Sequence, residues 1–223
     1  MYILLTDILT CPRCGPEFGL VLLADRVEDR RVLAGRLGCP NCREQYPVAE
    51  GAMDARLPAE RAAVVAPTAD AAPLADDADA AVRLAALLGL ADARGTVLVA
   101  GPGAALAPQV SALVPEVEVV AVTASPDASG ERAGVSRIAA GAALPFRSRT
   151  LRGVALTGGA DEAALAEALR LLQPGTRLVV QDAATGTAER LSALGAQVML
   201  DQEGTVVARA IGDPVQLRLN TLR

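Results

Sequence analysis

Residues 96–110 read TVLVAGPGAALAPQV, and residues 117–123 read VEVVAVT. Two short runs dominated by Val, apolar on consecutive positions, are the pattern of strands buried on both faces. Between them stand a Gly-Pro-Gly turn at 101–103 and a stretch of helical character over about 104–113. A strand, a tight turn, a helix and a second strand make the crossover unit of a parallel α/β sheet.

The same alternation holds from Asp76 onward. A helix is expected over about 77–90, capped by Asp76 or Asp77 and packing Val82, Leu84, Leu87 and Leu88. After the second strand come a weak helical turn near 127–133, a short strand near 135–139 and the strand LRGVALT at 151–157. A helix over 160–172 ends at Pro174-Gly175, and the strand TRLVVQD follows at 176–182. A helix near 186–194 precedes a hairpin built from QVMLD, the turn QEG and TVVARAI. The tail PVQLRLNTLR alternates apolar and polar residues, as an edge strand or a docking segment does.

The 223 residues suit one large domain or a small and a medium one, and 52% apolar content is ample for a core. That core must be aliphatic, since the chain has two Phe, two Tyr and no Trp, and aromatic platforms for single-stranded nucleic acid are unexpected. His and Lys are both absent, and all 21 basic residues are Arg. This composition excludes His general bases, His metal ligands, Lys Schiff bases and Ser-His-Asp triads. A net charge of -5 disfavours direct binding to nucleic acid or anionic membranes. The opening MYILLTDILTCPRC has no basic leader region, and no apolar run reaches membrane-spanning length, so a cytoplasmic protein is expected.

All four cysteines lie in residues 1–55, as Cys11-Pro-Arg-Cys14 and Cys39-Pro-Asn-Cys42. Each CxxC turn aims two thiolates at one point, and two such turns complete the tetrahedral shell of a Zn²⁺ ion. The 24 residues between the pairs accommodate a hairpin of GLVLLADRV and RRVLAGRLGC. Against zinc stand two unrelated thiol pairs, or a redox CxxC, which would be single and would open the helix of a βαβ unit. A closed four-thiolate shell folds a domain and does no chemistry. Residues 56–75, rich in Ala and Pro, read as a linker, giving a ribbon at 1–55 and an α/β domain at 76–223.

The N-terminal segment also resembles the small zinc-ribbon proteins that bind and activate tRNA and protein methyltransferases. The resemblance covers about residues 3–57 and rests on LLTDILTCPRCG, on CPNC and on QYPVAEGAMDARL. It implies a docking module and a methyltransferase partner, which this chain supplies in cis if its α/β region is of that kind.

Residues 77–211 in turn resemble class I S-adenosylmethionine-dependent methyltransferases. The match is carried by VLVAGPG, VEVVAVTAS, AALPFRSRTLRGV and ALRLLQPGTRLVVQD, and by a terminal hairpin in place of the sixth and seventh strands. The resemblance assigns Gly101, Gly103 and Thr123 to a vestigial cofactor site, although Gly101-Pro-Gly103 reads equally well as a ligand-free strand-to-helix turn. The family's acidic positions fall at Val99, Thr123, Ala140 and Arg152. A carboxylate gripping a ribose is worth about 1.5–3 kcal/mol, so four losses argue against S-adenosylmethionine, with Arg152 expected to face the sulfonium cation.

Asp161, Glu162 and Glu167 read as the solvated face and first turn of a helix, and Arg147, Arg149 and Arg152 as a charged loop. The expectation is therefore a zinc ribbon joined to a Rossmann-like, class I methyltransferase-type sheet without catalytic residues, acting as a scaffold or partner-stabilising subunit. An active methyltransferase, or a binding domain for a different small ligand, are the alternatives.

Overall fold

A computed structural model describes residues 1–62, 78–125 and 133–212. The first part opens with a 3-10 turn, Ile3–Asp7, followed by the short strands β1 (Thr10–Cys11) and β2 (Gly15–Gly19). The long hairpin β3 (Val21–Glu28) and β4 (Arg31–Gly38) turns through Asp29 and Arg30, both at positive φ. Strands β5 (Gln45–Ala49) and β6 (Ala52–Asp54) then extend the same antiparallel meander, and helix α1 spans Pro58–Ala62. This helix begins the stretch read as a linker, whose residues 63–75 lie outside the described part.

The α/β part contains α2 (Ala78–Leu88), β7 (Gly95–Ala100), a 3-10 turn (Pro102–Leu106), α3 (Ala107–Leu113), β8 (Val117–Thr123) and β9 (Val135–Ala139). It continues with β10 (Leu151–Leu156), α4 (Glu162–Leu171), β11 (Leu172–Gln181), α5 (Thr187–Ala193) and the hairpin β12 (Gln197–Gln202) and β13 (Thr205–Arg209). Two elements differ from the sequence pattern. The helix expected over 104–113 is split, because Gly101 and Pro102 start a tighter 3-10 turn and Pro108 suits only a first helical turn. Strand β11 starts at Leu172, ahead of Pro174-Gly175, because Leu172 pairs with Leu151 before the register shifts. The turn expected near 127–133 and the tail 214–223 lie outside, or almost wholly outside, the described residues.

Eleven strands form one sheet in the order β12-β13-β11-β10-β7-β8-β9-β6-β5-β4-β3. From β11 to β6 every neighbour is parallel, and β13 and β12 add an antiparallel edge. The chain winds one way through β7, β8 and β9 and the other way through β10 and β11, so the order switches between β7 and β10. Gly101 therefore sits at the carboxyl end of a switch-point strand, where such sheets hold their ligands.

Residues 1–62 are built onto this sheet. Strand β6 pairs in parallel with β9, matching Ala52 with Arg137, Met53 with Ile138 and Asp54 with Ala139. One face of the sheet packs on α2 and α3, burying Leu84, Leu88, Val110, Val97, Val119 and Val179. The opposite face buries α4 and α5 in the same apolar cluster that holds Leu5, Leu9, Tyr46 and Met53. Polar ties close the junction. Arg31 donates to Glu118 at 2.8 Å and to the Val135 carbonyl, and the N–H of Thr10 meets the Pro145 carbonyl at 2.9 Å. Among the described residues, no helix is long and apolar enough to cross a membrane.

Candidate metal centre and strand-end cleft

The two CxxC turns meet. Cys11 and Cys14 flank the end of β1, Cys39 and Cys42 follow β4, and the four Sγ atoms lie within 4.8 Å of one another. Cys11 and Cys42 are 3.7 Å apart and Cys39 and Cys14 3.9 Å. A tetrahedron with Zn–S bonds of about 2.3 Å has edges of about 3.8 Å, close to both of these separations, so the donor set is compatible with a closed zinc shell.

Burial pushes the Cys11 thiol up. Burial also acts on Cys39, but backbone N–H groups of Cys42 and Asn41 outweigh it and bring that thiol down to about 7. Asn41 donates to Cys14 Sγ at 3.4 Å. The Tyr46 hydroxyl lies 3.2 Å from Cys11 Sγ, and burial and that sulfur hold the phenol neutral. The sequence pattern does not single out Tyr46, though it belongs to the QYPV stretch.

The second feature is a cleft of about 300 Å³ at the carboxyl ends of β7, β8, β9 and β10, lined by Gly101, Thr123, Ala140, Gly141, Thr157 and Glu167 among others. Gly101 and Thr123 both line it. Gly103 does not line the cleft: it is buried, and its N–H meets Thr157 Oγ1 at 2.7 Å.

Thr157 explains both glycines. A Cβ on Gly101 would lie 2.1 Å from the Thr157 carbonyl oxygen, and one on Gly103 2.6 Å from the Thr157 methyl. Gly101 also adopts φ 84°, ψ −158°, a region open essentially to glycine alone. Thr157 donates in turn to the Ala100 carbonyl at 2.8 Å, so its hydroxyl is engaged on both sides.

The four positions where acids were expected separate in space. Thr123 and Ala140 line the cleft, and Thr123 donates its hydroxyl to the Ser125 carbonyl at 2.6 Å. Val99 is wholly buried beneath α2 and α3. Arg152 opens β10, whose far end supplies Leu156 and Thr157 to the cleft, and five residues of strand span about 16 Å. The expectation that Arg152 faces a bound sulfonium is therefore corrected: it stands at the opposite end of its strand.

Glu167 is the reverse case, a residue read as solvated that lines the cleft. Its carboxylate accepts from Arg170 at 2.7 and 2.8 Å and from the Leu144 N–H at 3.0 Å. Arg170 also donates to the Phe146 carbonyl, fixing the LPF segment. The i,i+3 spacing of Glu167 and Arg170 was the available signal. Asp161, in contrast, caps α4 through the Ala164 N–H, as its position implies.

Residues 3–51 match the family model of the Trm112p-like protein. No curated protein matches. Among solved structures, the chain is similar to the 1,6-didemethyltoxoflavin-N1-methyltransferase of Burkholderia thailandensis, solved with 1,6-didemethyltoxoflavin and S-adenosylhomocysteine (17% identity, TM-score 0.47, covering 60% of this chain and 77% of that one). It is similar to the antibiotic-resistance methyltransferase Kmr (16%, 0.44, covering 60% and 93%). A chain from the Haloferax volcanii complex between the Trm112 methyltransferase activator and a methyltransferase is also similar (16%, 0.45, covering 58% and 89%).

Proposed function

We propose that this chain, which joins a Trm112p-like module to a class I methyltransferase-type sheet, is a zinc-stapled, non-catalytic protein of the cytoplasm that works through a protein partner. The observation that carries the non-catalytic reading is the cleft wall. At the ends of β7, β8 and β9 it offers Ala100, Thr123 and Ala140, and its one lining carboxylate, Glu167, is already bonded to Arg170 and Leu144. Among the described residues lining the cleft at the ends of β7, β8 and β9, none offers a free carboxylate to accept both hydroxyls of a ribose, and Thr157 already takes the Gly103 N–H.

Four thiolates at tetrahedral spacing fit Zn²⁺, held by Cys11, Cys14, Cys39 and Cys42 with no open position for chemistry. The ion's contribution would be structural. Strand β6 pairs with β9 within the chain, and we take that pairing as the counterpart in cis of the docking that the activator resemblance implies in trans. A partner therefore meets some other surface of the joined unit, in a scaffolding or stabilising role.

A thermal-shift scan tests the reading. Chelation should lower the melting temperature, whereas S-adenosylmethionine and S-adenosylhomocysteine should leave it unchanged. A rise with either ligand would favour an active methyltransferase, a reading that gains from Arg152 lying away from the cleft.

A further inference from the structure

We infer that helix α1 is a strut between the thiolate centre and the strand-end cleft, its two ends being the adjacent residues Arg61 and Glu60. The inference rests on the zinc reading above. Glu60 folds back on its own helix, accepting the Leu57 N–H on Oε2 at 2.7 Å in a capping interaction that fixes its rotamer. Its carboxylate then lies against Gly141, where an added Cβ would fall 2.0 Å from Oε1. Only the missing side chain lets the carboxylate approach so closely, and Gly141 lines the cleft beside Thr123 and Ala140.

Arg61 points the other way. It donates to Glu44 Oε1 at 3.1 Å and to the Gln45 carbonyl at 3.4 Å, and its guanidinium sits 5.9 Å from the Tyr46 ring centre. Both contacts lead to the thiolates. Tyr46 reaches Cys11 Sγ, and the Glu44 carbonyl accepts the Cys39 N–H at 2.9 Å. A filled metal site fixes Tyr46 and Glu44, these fix Arg61, and one peptide unit later Glu60 is set against Gly141. Among the described residues no donor bonds Glu60 Oε1, which leaves an anionic acceptor beside the cleft residue Gly141, suited to a ligand that carries an N–H or O–H donor and reaches past that glycine. Linkage runs both ways, so a change at the cleft must be felt at the metal.

The test reads the metal from the cleft side. The full-length protein is loaded with Co²⁺, and its thiolate-to-cobalt bands and cobalt affinity are measured for the unaltered chain, Gly141→Ala, Arg61→Ala and the double variant. Gly141→Ala, which displaces Glu60, should shift the bands and weaken cobalt binding by about two- to thirtyfold. In the Arg61→Ala background the same substitution should have no further effect. Glu60→Ala removes the carboxylate without adding a Cβ and should behave like Gly141→Ala, which decides the matter if the alanine at 141 impairs folding. Bands and affinity unmoved by either cleft-side change, or moved equally with and without Arg61, would overturn the strut. Failure of the unaltered protein to bind cobalt at all would overturn the zinc reading itself, and is a separate result.

Discussion

Met53 stands in parallel register with Ile138, and both side chains are fully buried in one apolar cluster that also holds Cys11, Cys39 and Leu165. The thiolate shell therefore supports more than residues 1–55. Strand β6 covers the edge of β9, and opening it would expose β9's unpaired N–H and C=O groups. Cys39→Ser, or removal of the metal, should unfold the ribbon and destabilise the α/β part in a single cooperative transition. Near-UV and far-UV denaturation curves that separate into two steps would show that the units are independent. Elemental analysis should find about one Zn²⁺ per chain. Metal uptake near neutral pH should release protons, because Cys11 must ionise from a raised value, whereas Cys39 titrates at about 7. Zinc retention should accordingly fall as pH drops.

Arg31 and Glu118 make the second test. Their side chains are 9% and 11% exposed and 2.8 Å apart across the junction, and Ser136 also donates to Glu118. Breaking a buried pair from one side strands a charge. Glu118→Ala should therefore cost about 3–5 kcal/mol, read as a shift in urea midpoint at constant slope. Replacing both partners by Leu should restore much of that loss. Equal destabilisation by single and double variants would mean that the pair's own attraction dominates.

The turn after β7 gives a third. Thr157→Val keeps the shape of the side chain but leaves the Gly103 N–H without its acceptor, at a cost of about 1–3 kcal/mol. Gly101→Ala should be worse, since it meets both a positive φ and the Thr157 carbonyl. Thermal denaturation orders the two. A neutral Gly101→Ala would show that the turn is free to move, as a ligand-gripping loop must be.

Much of this was legible in the residues. Runs such as VEVVAVT announced parallel strands because burial on both faces leaves no polar alternation, and the CxxC turns announced the shell because local geometry fixes each thiol pair. What the sequence hid was long-range. That β6 would join β9 depends on a free edge meeting a three-residue strand, and three residues carry almost no periodic signal. The position of Arg152 was misread for a related reason. Counting from the strand's start places a residue along the chain but does not say at which end of the sheet the ligand lies. Glu60 was hidden in an Ala- and Pro-rich stretch whose composition indicated only a linker.

The unaltered protein should not bind S-adenosylmethionine at physiological concentration. Calorimetric titration of the unaltered protein should give no saturable heat up to millimolar cofactor, because Thr123 offers a single oxygen already turned to Ser125 and Ala140 offers no side-chain acceptor. Thr123→Asp places a two-oxygen acceptor at the end of β8, within the cleft wall, and should bring measurable affinity if the cavity admits the ligand. A charged hydrogen bond of about 1.5–3 kcal/mol corresponds to roughly a 10- to 150-fold gain. Arg152→Asp should add nothing to it, since that residue lies at the far end of β10. A gain from Arg152→Asp alone would mean that the ligand sits elsewhere than the strand-end cleft. Micromolar binding by the unaltered protein would overturn the non-catalytic reading, and the candidate acceptor to examine next would be Glu60, whose carboxylate lies against the cleft residue Gly141.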